Sequence, residues 1–222
     1  MPTRVKICGL RTEAALDAAL DAGADLVGFV LYAKSPRNVS LDEAAALVRR
    51  TRAREGVQTV VLAVDPDDAL VDQVAAKVQP DILQLHGHET PERAEAIRRR
   101  SRLIILKAVP VAEADEVADA FVYLEPEGGA DILLFDAKPP ADPAALPGGN
   151  GLSFDWHILE AARGRAPFAL AGGLTPENVA AAIDLTGAAI VDVSSGVESR
   201  PGEKDPELIR RFLQAAKAAK QS

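Results

Sequence analysis

Short runs of apolar residues alternate along the chain with longer runs in which apolar and polar residues follow a helical period. The short runs are rich in Val, Ile and Leu and contain few polar residues, as expected of strands that are covered on both faces. This alternation is typical of a parallel sheet built from β-α-β units. Eight runs predict strands: Arg4–Cys8, Leu26–Val30, Gln58–Val64, Ile82–Leu85, Leu103–Val109, Ile132–Phe135, Phe168–Ala171 and Ile190–Val193.

The longer runs predict one helix after each strand. Several of them begin at a Thr, Ser or Asp, whose side-chain oxygen can accept a hydrogen bond from a free N–H group of the first turn. The last has Pro in its first turn, where the missing N–H costs nothing. The predicted helices are Thr12–Ala22, Leu41–Arg50, Asp67–Val78, Pro91–Arg100, Ala112–Ala120, Asp155–Ala162, Thr175–Ile183 and Pro206–Ala219.

A weak repeat supports an arrangement of eight units. Similar five-residue segments enter every second predicted strand, at intervals of 56, 50 and 58 residues, or two units of about 28 residues each. The segments are Gly23–Val27, Gln79–Leu83, Gly129–Leu133 and Gly187–Val191. The sequence therefore predicts an α/β fold in one domain over residues 1–222, an eight-stranded parallel (β/α)8 TIM barrel. A long loop over Ala137–Gly151 is expected between the sixth strand and the sixth helix.

Composition narrows the class of protein. The 222 residues are 48% hydrophobic and 26% charged, which is enough apolar material for a core. The net charge of −8 opposes binding to nucleic acids and to anionic membranes, so we expect neither as a partner. The chain has one cysteine, its N-terminus lacks a signal-peptide pattern, and no apolar run is long enough to cross a bilayer. We expect a cytoplasmic protein.

Two loops predict a phosphate site. Gly172 and Gly173 follow the seventh predicted strand, and Ser194, Ser195 and Gly196 follow the eighth. In (β/α)8 barrels these two loops commonly bind phosphate, because glycine lets backbone N–H groups approach an anion and serine adds hydroxyl donors. Either loop by itself could be a tight turn or a helix start. The presence of both loops, one after the seventh strand and one after the eighth, indicates a small phosphorylated ligand.

Two candidate catalytic residues stand at strand ends. Cys8 ends the first strand, and Lys6 shares its face, so the ammonium is expected to lower the pKa of the thiol. The alternative is that Cys8 is an inert buried residue. Asp136 emerges from the sixth strand, where partial burial would suit a general acid. The alternative there is a carboxylate that caps the loop and pairs with Lys138.

Three further side chains bear on the site. Asp192 lies inside the eighth strand, which neighbours the first in a closed barrel, so it can pair with Lys6 in the interior. Arg37 is suited to bind a substrate carboxylate with two hydrogen bonds, although a solvated loop arginine is the alternative. His86 and His88 have no acidic partner at metal-site spacing, so we expect no metal.

Several motifs together resemble the phosphoribosylanthranilate isomerases, a family of cofactor-independent barrel enzymes of tryptophan biosynthesis. The resemblance runs from residue 6 to about residue 198, and the ordered set is more specific than any one motif. The motifs are Lys6–Leu10, Ser35–Arg37, Gln84–Gly87, Leu134–Asp136, Gly148–Gly151, Phe154–Trp156, Ala171–Leu174 and Asp192–Glu198.

The resemblance implies an Amadori rearrangement of N-(5-phosphoribosyl)anthranilate to 1-(2-carboxyphenylamino)-1-deoxyribulose 5-phosphate, without a cofactor or metal. It implies that Cys8 is the general base, that Asp136 is the general acid and that Arg37 binds the anthranilate carboxylate. The expected substrate-binding residues are Arg37, Gly149, Gly151, Gly172, Gly173, Asp192, Ser194, Ser195 and Gly196. Many relatives have Lys where this chain has Leu152, so a lysine contact with the substrate is not expected there.

Two other functions fit parts of the pattern. Another ribose-phosphate isomerase or epimerase could use the same barrel, but an epimerase would need paired Asp residues and metal-binding His at the strand ends. A non-catalytic protein that binds a phosphorylated ligand could keep the two loops, but it would not need Cys8 and Asp136.

Overall fold

A closed barrel of eight parallel strands, in sequential order, forms the centre of the molecule. The structure is a computed structural model that describes residues 2–140 and 146–219. Residues 1, 141–145 and 220–222 of the predicted domain, and so part of the predicted long loop, lie outside the described residues. The strands are β1 Arg4–Cys8, β2 Leu26–Leu31, β3 Gln58–Ala63, β4 Ile82–Leu85, β5 Ile104–Val111, β6 Ile132–Ala137, β7 Phe168–Leu170 and β8 Ile190–Val193.

The eight predicted strands and the TIM-barrel fold are confirmed, and the differences lie at strand ends. Strand β5 is longer than predicted because Pro110 and Val111 continue the pairing with β6. The sequence pattern ended this strand at Val109, since a proline interrupts the apolar run. A two-stranded antiparallel hairpin, β9 Glu198–Arg200 and β10 Glu203–Lys204, follows β8 and was not predicted. Its strands are too short and too polar to give a strand signal.

Seven α-helices, α1 to α7, are present in the described residues. No helix in this part of the chain has the length and apolar character needed to span a bilayer. The third helix, α3 Asp68–Gln73, continues as a π-helical turn over Val74–Val78, and the fifth, α5 Ala114–Asp119, continues as a 3-10 helix over Ala120–Leu124. The α-helices are α1 Glu13–Asp21, α2 Leu41–Thr51, α3 Asp68–Gln73, α4 Pro91–Ser101, α5 Ala114–Asp119, α6 Val179–Thr186 and α7 Pro206–Ala218.

Two further predicted helices differ from the structure, one in helix type and one in where it begins. The sixth, predicted as an α-helix, is a 3-10 helix over Trp156–Ala162 that Asp155 caps. The seventh begins at Val179 rather than Thr175, because the Asn178 side chain accepts a hydrogen bond from the Thr175 N–H and donates one to the Gly173 carbonyl. Residues 175–178 therefore form a turn.

Two apolar layers hold the barrel together. The larger one lies between the strands and the helices and includes Phe29, Phe135 and Phe212. The smaller one consists of inward-facing strand residues: Leu26, Val60, Ile82, Leu106, Ala108, Leu134, Ala169, Ala171 and Ile190. Because successive side chains of a strand point to opposite faces, the residues two positions further along these strands also face inward. Asp136 and Asp192 are placed in this way, two residues after Leu134 and Ile190.

Lys6 and Asp192 form an ion pair inside the barrel, as predicted. They are register partners on β1 and β8, their nearest charged atoms are 2.8 Å apart, and the Lys6 side chain has no exposed surface. Burial acts to lower the pKa of Lys6, but the neighbouring Asp192 and Cys8 raise it above its ordinary value. Lys6 therefore remains an ammonium.

Replacing Lys6 by Met should lower the free energy of unfolding by about 3 to 5 kcal/mol, because the carboxylate of Asp192 would stay buried without its cation. Denaturant unfolding measures this loss. The control is Arg50→Met, which breaks an exposed ion pair with Asp17 and should cost less than about 1 kcal/mol. A loss of that small size for Lys6→Met would contradict a stabilising role for the buried pair.

Candidate active site

A cleft that is open to solvent lies at the carboxyl ends of the strands. In this fold the loops after the strands carry the functional residues. All eleven residues predicted for the site line this one cleft: Cys8, Arg37, Asp136, Gly149, Gly151, Gly172, Gly173, Asp192, Ser194, Ser195 and Gly196. Residues that are more than 180 positions apart along the chain, such as Cys8 and Ser194, are thereby brought together.

Cys8 lies at the floor of the cleft and is 4% exposed. Gly28, its register partner on β2, makes room for it, since a Cβ atom on Gly28 would lie 3.0 Å from the sulfur of Cys8. Burial raises the pKa of the Cys8 thiol, and this effect outweighs the lowering by the ammonium of Lys6. The predicted lowering by Lys6 is present, but burial outweighs it. The sequence places the charge beside the sulfur but does not show how completely water is excluded.

Asp136 faces the cleft at the end of β6 and is 7% exposed. Its Oδ1 accepts a hydrogen bond of 2.8 Å from the Ala137 N–H, and its Oδ2 lies 3.4 Å from Nε2 of His86. The Nδ1 atom of His86 is 3.0 Å from the side-chain amide of Gln84. If that amide donates, Nε2 carries the ring proton and points it at Asp136. Lys138, the alternative partner of Asp136, instead pairs with Glu116.

Arg37 is buried rather than solvated, with 5% of its surface exposed. Its Nε and Nη2 atoms donate hydrogen bonds of 2.8 Å to Oε1 and Oε2 of Glu198, a bidentate arrangement. Nη2 also lies 3.3 Å from the carbonyl oxygen of Gly149. A side chain on Gly149 would collide with this guanidinium, since its Cβ would be 2.5 Å from Nη1. Gly149 therefore lets Arg37 reach the cleft.

The side chain of Lys204, on β10, is buried next to Glu198, the partner of Arg37. Its Nζ donates to Oε1 of Glu198 at 2.6 Å, to the Ser194 carbonyl at 2.9 Å and to the Ser194 hydroxyl at 3.2 Å. Burial lowers the pKa of Lys204 despite the neighbouring Glu198. Burial acts to raise the pKa of Glu198, but the hydrogen bonds from Arg37 and the charge of Lys204 outweigh it and hold that pKa below its usual range.

The two predicted phosphate loops converge on one side of the cleft. Gly172 and Gly173 have φ values of +86° and +63°, a conformation that favours glycine. Within the described residues, the backbone N–H groups of Gly173 and Ser195 donate no hydrogen bond. Gly196 must also be glycine, because a Cβ there would lie 1.9 Å from the Leu174 carbonyl oxygen. The loops thus present free donors in a backbone shape that side chains would disrupt.

Residues 146–152 form another wall of the cleft. Gly149 and Gly151 both have positive φ values, and the Asn150 side chain donates to the Leu146 carbonyl. Leu152 is 43% exposed. This wall is therefore built from backbone and apolar groups, without a cation of its own.

No group of three His, Cys, Asp or Glu side chains in residues 2–140 and 146–219 is arranged to hold a metal ion. His88 pairs with Asp65 on the surface, and neither residue lines the cleft.

The family model for N-(5'phosphoribosyl)anthranilate (PRA) isomerase matches residues 5–215. The chain belongs to this isomerase family. The N-(5'-phosphoribosyl)anthranilate isomerase of Paramagnetospirillum magneticum is 54% identical over 220 residues, which are 99% of this chain and 100% of that protein. The family resemblance in the sequence motifs is thereby confirmed.

Solved structures of the PRA isomerase family share the fold. The enzyme from Thermotoga maritima is 36% identical, with a TM-score of 0.85, 97% of this chain covered and 98% of that one. A second PRA isomerase structure, 35% identical with a TM-score of 0.82 and the same coverage, contains reduced 1-(o-carboxyphenylamino)-1-deoxyribulose 5-phosphate. That relative therefore binds a phosphorylated small molecule.

Sequence reasoning missed four residues of this PRA isomerase family member's site. Glu198 holds Arg37 and is itself held by Lys204, His86 faces Asp136, and Gly28 makes room for Cys8. Glu198 and His86 lie inside motifs that the sequence singles out, so their positions carried a signal. Lys204 and Gly28 carried none, because their roles depend on contacts between neighbouring strands and loops.

Proposed function

We propose that this protein converts N-(5-phosphoribosyl)anthranilate to 1-(2-carboxyphenylamino)-1-deoxyribulose 5-phosphate in tryptophan biosynthesis. The observation that carries the proposal is that a full-length family match coincides with a cleft lined by Cys8, Arg37 and Asp136. The single cysteine is free and buried, and we propose a cytoplasmic location, where thiols stay reduced.

The proposed reaction needs one acid and one base. Asp136 donates a proton to the furanose ring oxygen as the C1′–O bond breaks, which leaves a protonated imine at C1′. The thiolate of Cys8 then removes the proton from C2′, and its electron pair forms an enolamine. The enol oxygen loses its proton and C1′ gains one, which gives the amino ketone. The product is an isomer of the substrate, so no cofactor is required.

Three features of the cleft support this substrate. Arg37 supplies a guanidinium for the anthranilate carboxylate, and the N–H groups of Gly173 and Ser195 supply donors for the phosphate. Oδ1 of Asp192 is buried at the cleft and accepts no hydrogen bond from the described part of the chain. We propose that it accepts a hydrogen bond from a ribose hydroxyl group.

Loss of substrate fluorescence tests the function directly. Purified protein should convert phosphoribosylanthranilate at a rate that a chelator does not change. A ribose-phosphate epimerase would instead act on ribulose 5-phosphate, and a non-catalytic binding protein would bind the product without turning over the substrate. Either outcome would contradict the proposal.

A further inference from the structure

Glu198 is a buried carboxylate whose hydrogen-bonding positions are filled by protein. Oε1 accepts from Arg37 and Lys204, and Oε2 accepts from Arg37 and from the Gly202 N–H at 3.2 Å. A carboxylate has about four acceptor positions, so all are used. Glu198 does not line the cleft, and its side chain is 3% exposed. It can therefore act on a ligand only through the residues it contacts, and of these Arg37 is the one that lines the cleft.

One edge of the Arg37 guanidinium faces Glu198 and the other remains available. Nε and Nη2 make the bidentate contact, while Nη1 donates to no acceptor within residues 2–140 and 146–219. The contact from Nη2 to the Gly149 carbonyl is long, at 3.3 Å. Because Arg37 lines the cleft, a ligand carboxylate can bind its Nη1 and Nη2 atoms and displace this weak contact.

Lys204 offsets the charge of the Glu198 carboxylate and fixes its position. Its three donors are directed at Glu198 and at both oxygens of Ser194, so it has no rotational freedom left. The three charged side chains carry a net charge of +1, which keeps the cluster attractive to anions. Ser194 belongs to the predicted phosphate loop. Lys204 therefore contacts both this loop and Glu198, the partner of Arg37.

We propose that Glu198, held by Lys204, is a positioning residue that orients the free edge of Arg37 towards the carboxylate of the substrate. The inference rests on the proposed function, because it assigns this edge to the anthranilate carboxylate. If Glu198 acted only through its charge, it would lower the affinity for the substrate, because its negative charge weakens the attraction between Arg37 and the substrate carboxylate.

The test compares two ligands by calorimetry. One is the reduced product with its carboxyl group, and the other is the same compound built on aniline, which lacks that group. Glu198→Asp keeps the negative charge but shortens the side chain by one methylene, so the carboxylate lies further from Arg37. Glu198→Gln keeps the length of the side chain but removes its charge. We expect both variants to lose roughly tenfold in affinity for the carboxylated ligand. Affinity for the aniline compound should change by less than about threefold.

Two control variants separate the explanations. Glu203→Gln removes an exposed carboxylate that pairs with Arg200 on the same hairpin, and it should leave both affinities unchanged. Ser195→Asp should weaken both ligands equally, because both carry the phosphate. If Glu198→Asp keeps the wild-type preference for the carboxylated ligand, or Glu198→Gln strengthens it, the positioning role is wrong. If wild-type protein binds neither ligand, the proposed function itself fails.

Discussion

Replacing Asp136 by Asn should lower kcat by roughly 10²- to 10⁴-fold and leave KM nearly unchanged. Asparagine has almost the same shape, and its side-chain oxygen can still accept the hydrogen bond from the Ala137 N–H. His86 can accept from the new amide by changing its tautomer, provided that the Gln84 amide turns so that its Oε1, which has no partner in the described residues, accepts from Nδ1. What the variant lacks is a proton for the leaving ring oxygen, which matters only in the transition state. Steady-state kinetics on phosphoribosylanthranilate measure both constants.

The control for this experiment is Glu116→Gln. Glu116 pairs with Lys138 at the rim of the cleft, so the substitution removes one carboxylate nearby without touching Asp136. Its kcat should stay within about twofold of wild type, and both variants should unfold at nearly the wild-type Tm. An Asp136→Asn enzyme with near wild-type kcat would remove the general-acid assignment.

Replacing Cys8 by Ser should lower kcat by at least about 100-fold, because a serine hydroxyl cannot supply an anion at neutral pH. The buried thiol also predicts a pH dependence. A general base must be deprotonated, and burial raises the pKa of this thiol above its ordinary value. The kcat/KM of the wild-type enzyme should therefore rise with pH into the alkaline range, since the thiolate fraction of the free enzyme increases there.

Alkylation provides an independent test, because Cys8 is the only cysteine in the chain. Iodoacetamide should react slowly at neutral pH, faster at higher pH, and more slowly again when substrate fills the cleft. Modification should abolish activity in proportion to the label incorporated, and Cys8→Ser should take up no label. Fully labelled protein that keeps its activity would show that Cys8 is not the base.

The amino-acid sequence by itself predicted the barrel and eleven of the residues that line the cleft. Each strand is a local apolar run, and the order of strands in a closed parallel barrel follows their order in the chain. The glycines at 172, 173 and 196 were recognisable because their position after a strand is local information. The placement of Cys8, Asp136 and Asp192 at the cleft follows from the same alternation along each strand.

Only the tertiary structure decided how these residues are held. Glu198 bonds to Arg37, and Lys204 bonds to Glu198, because a short hairpin follows β8. Gln84 on β4 lies beside His86, which faces Asp136 on β6. The pKa of Cys8 depends on the balance between burial and the charge of Lys6, and the sequence contains only the charge. Burial and side-chain pairing result from contacts between distant segments, so they cannot be inferred from local pattern.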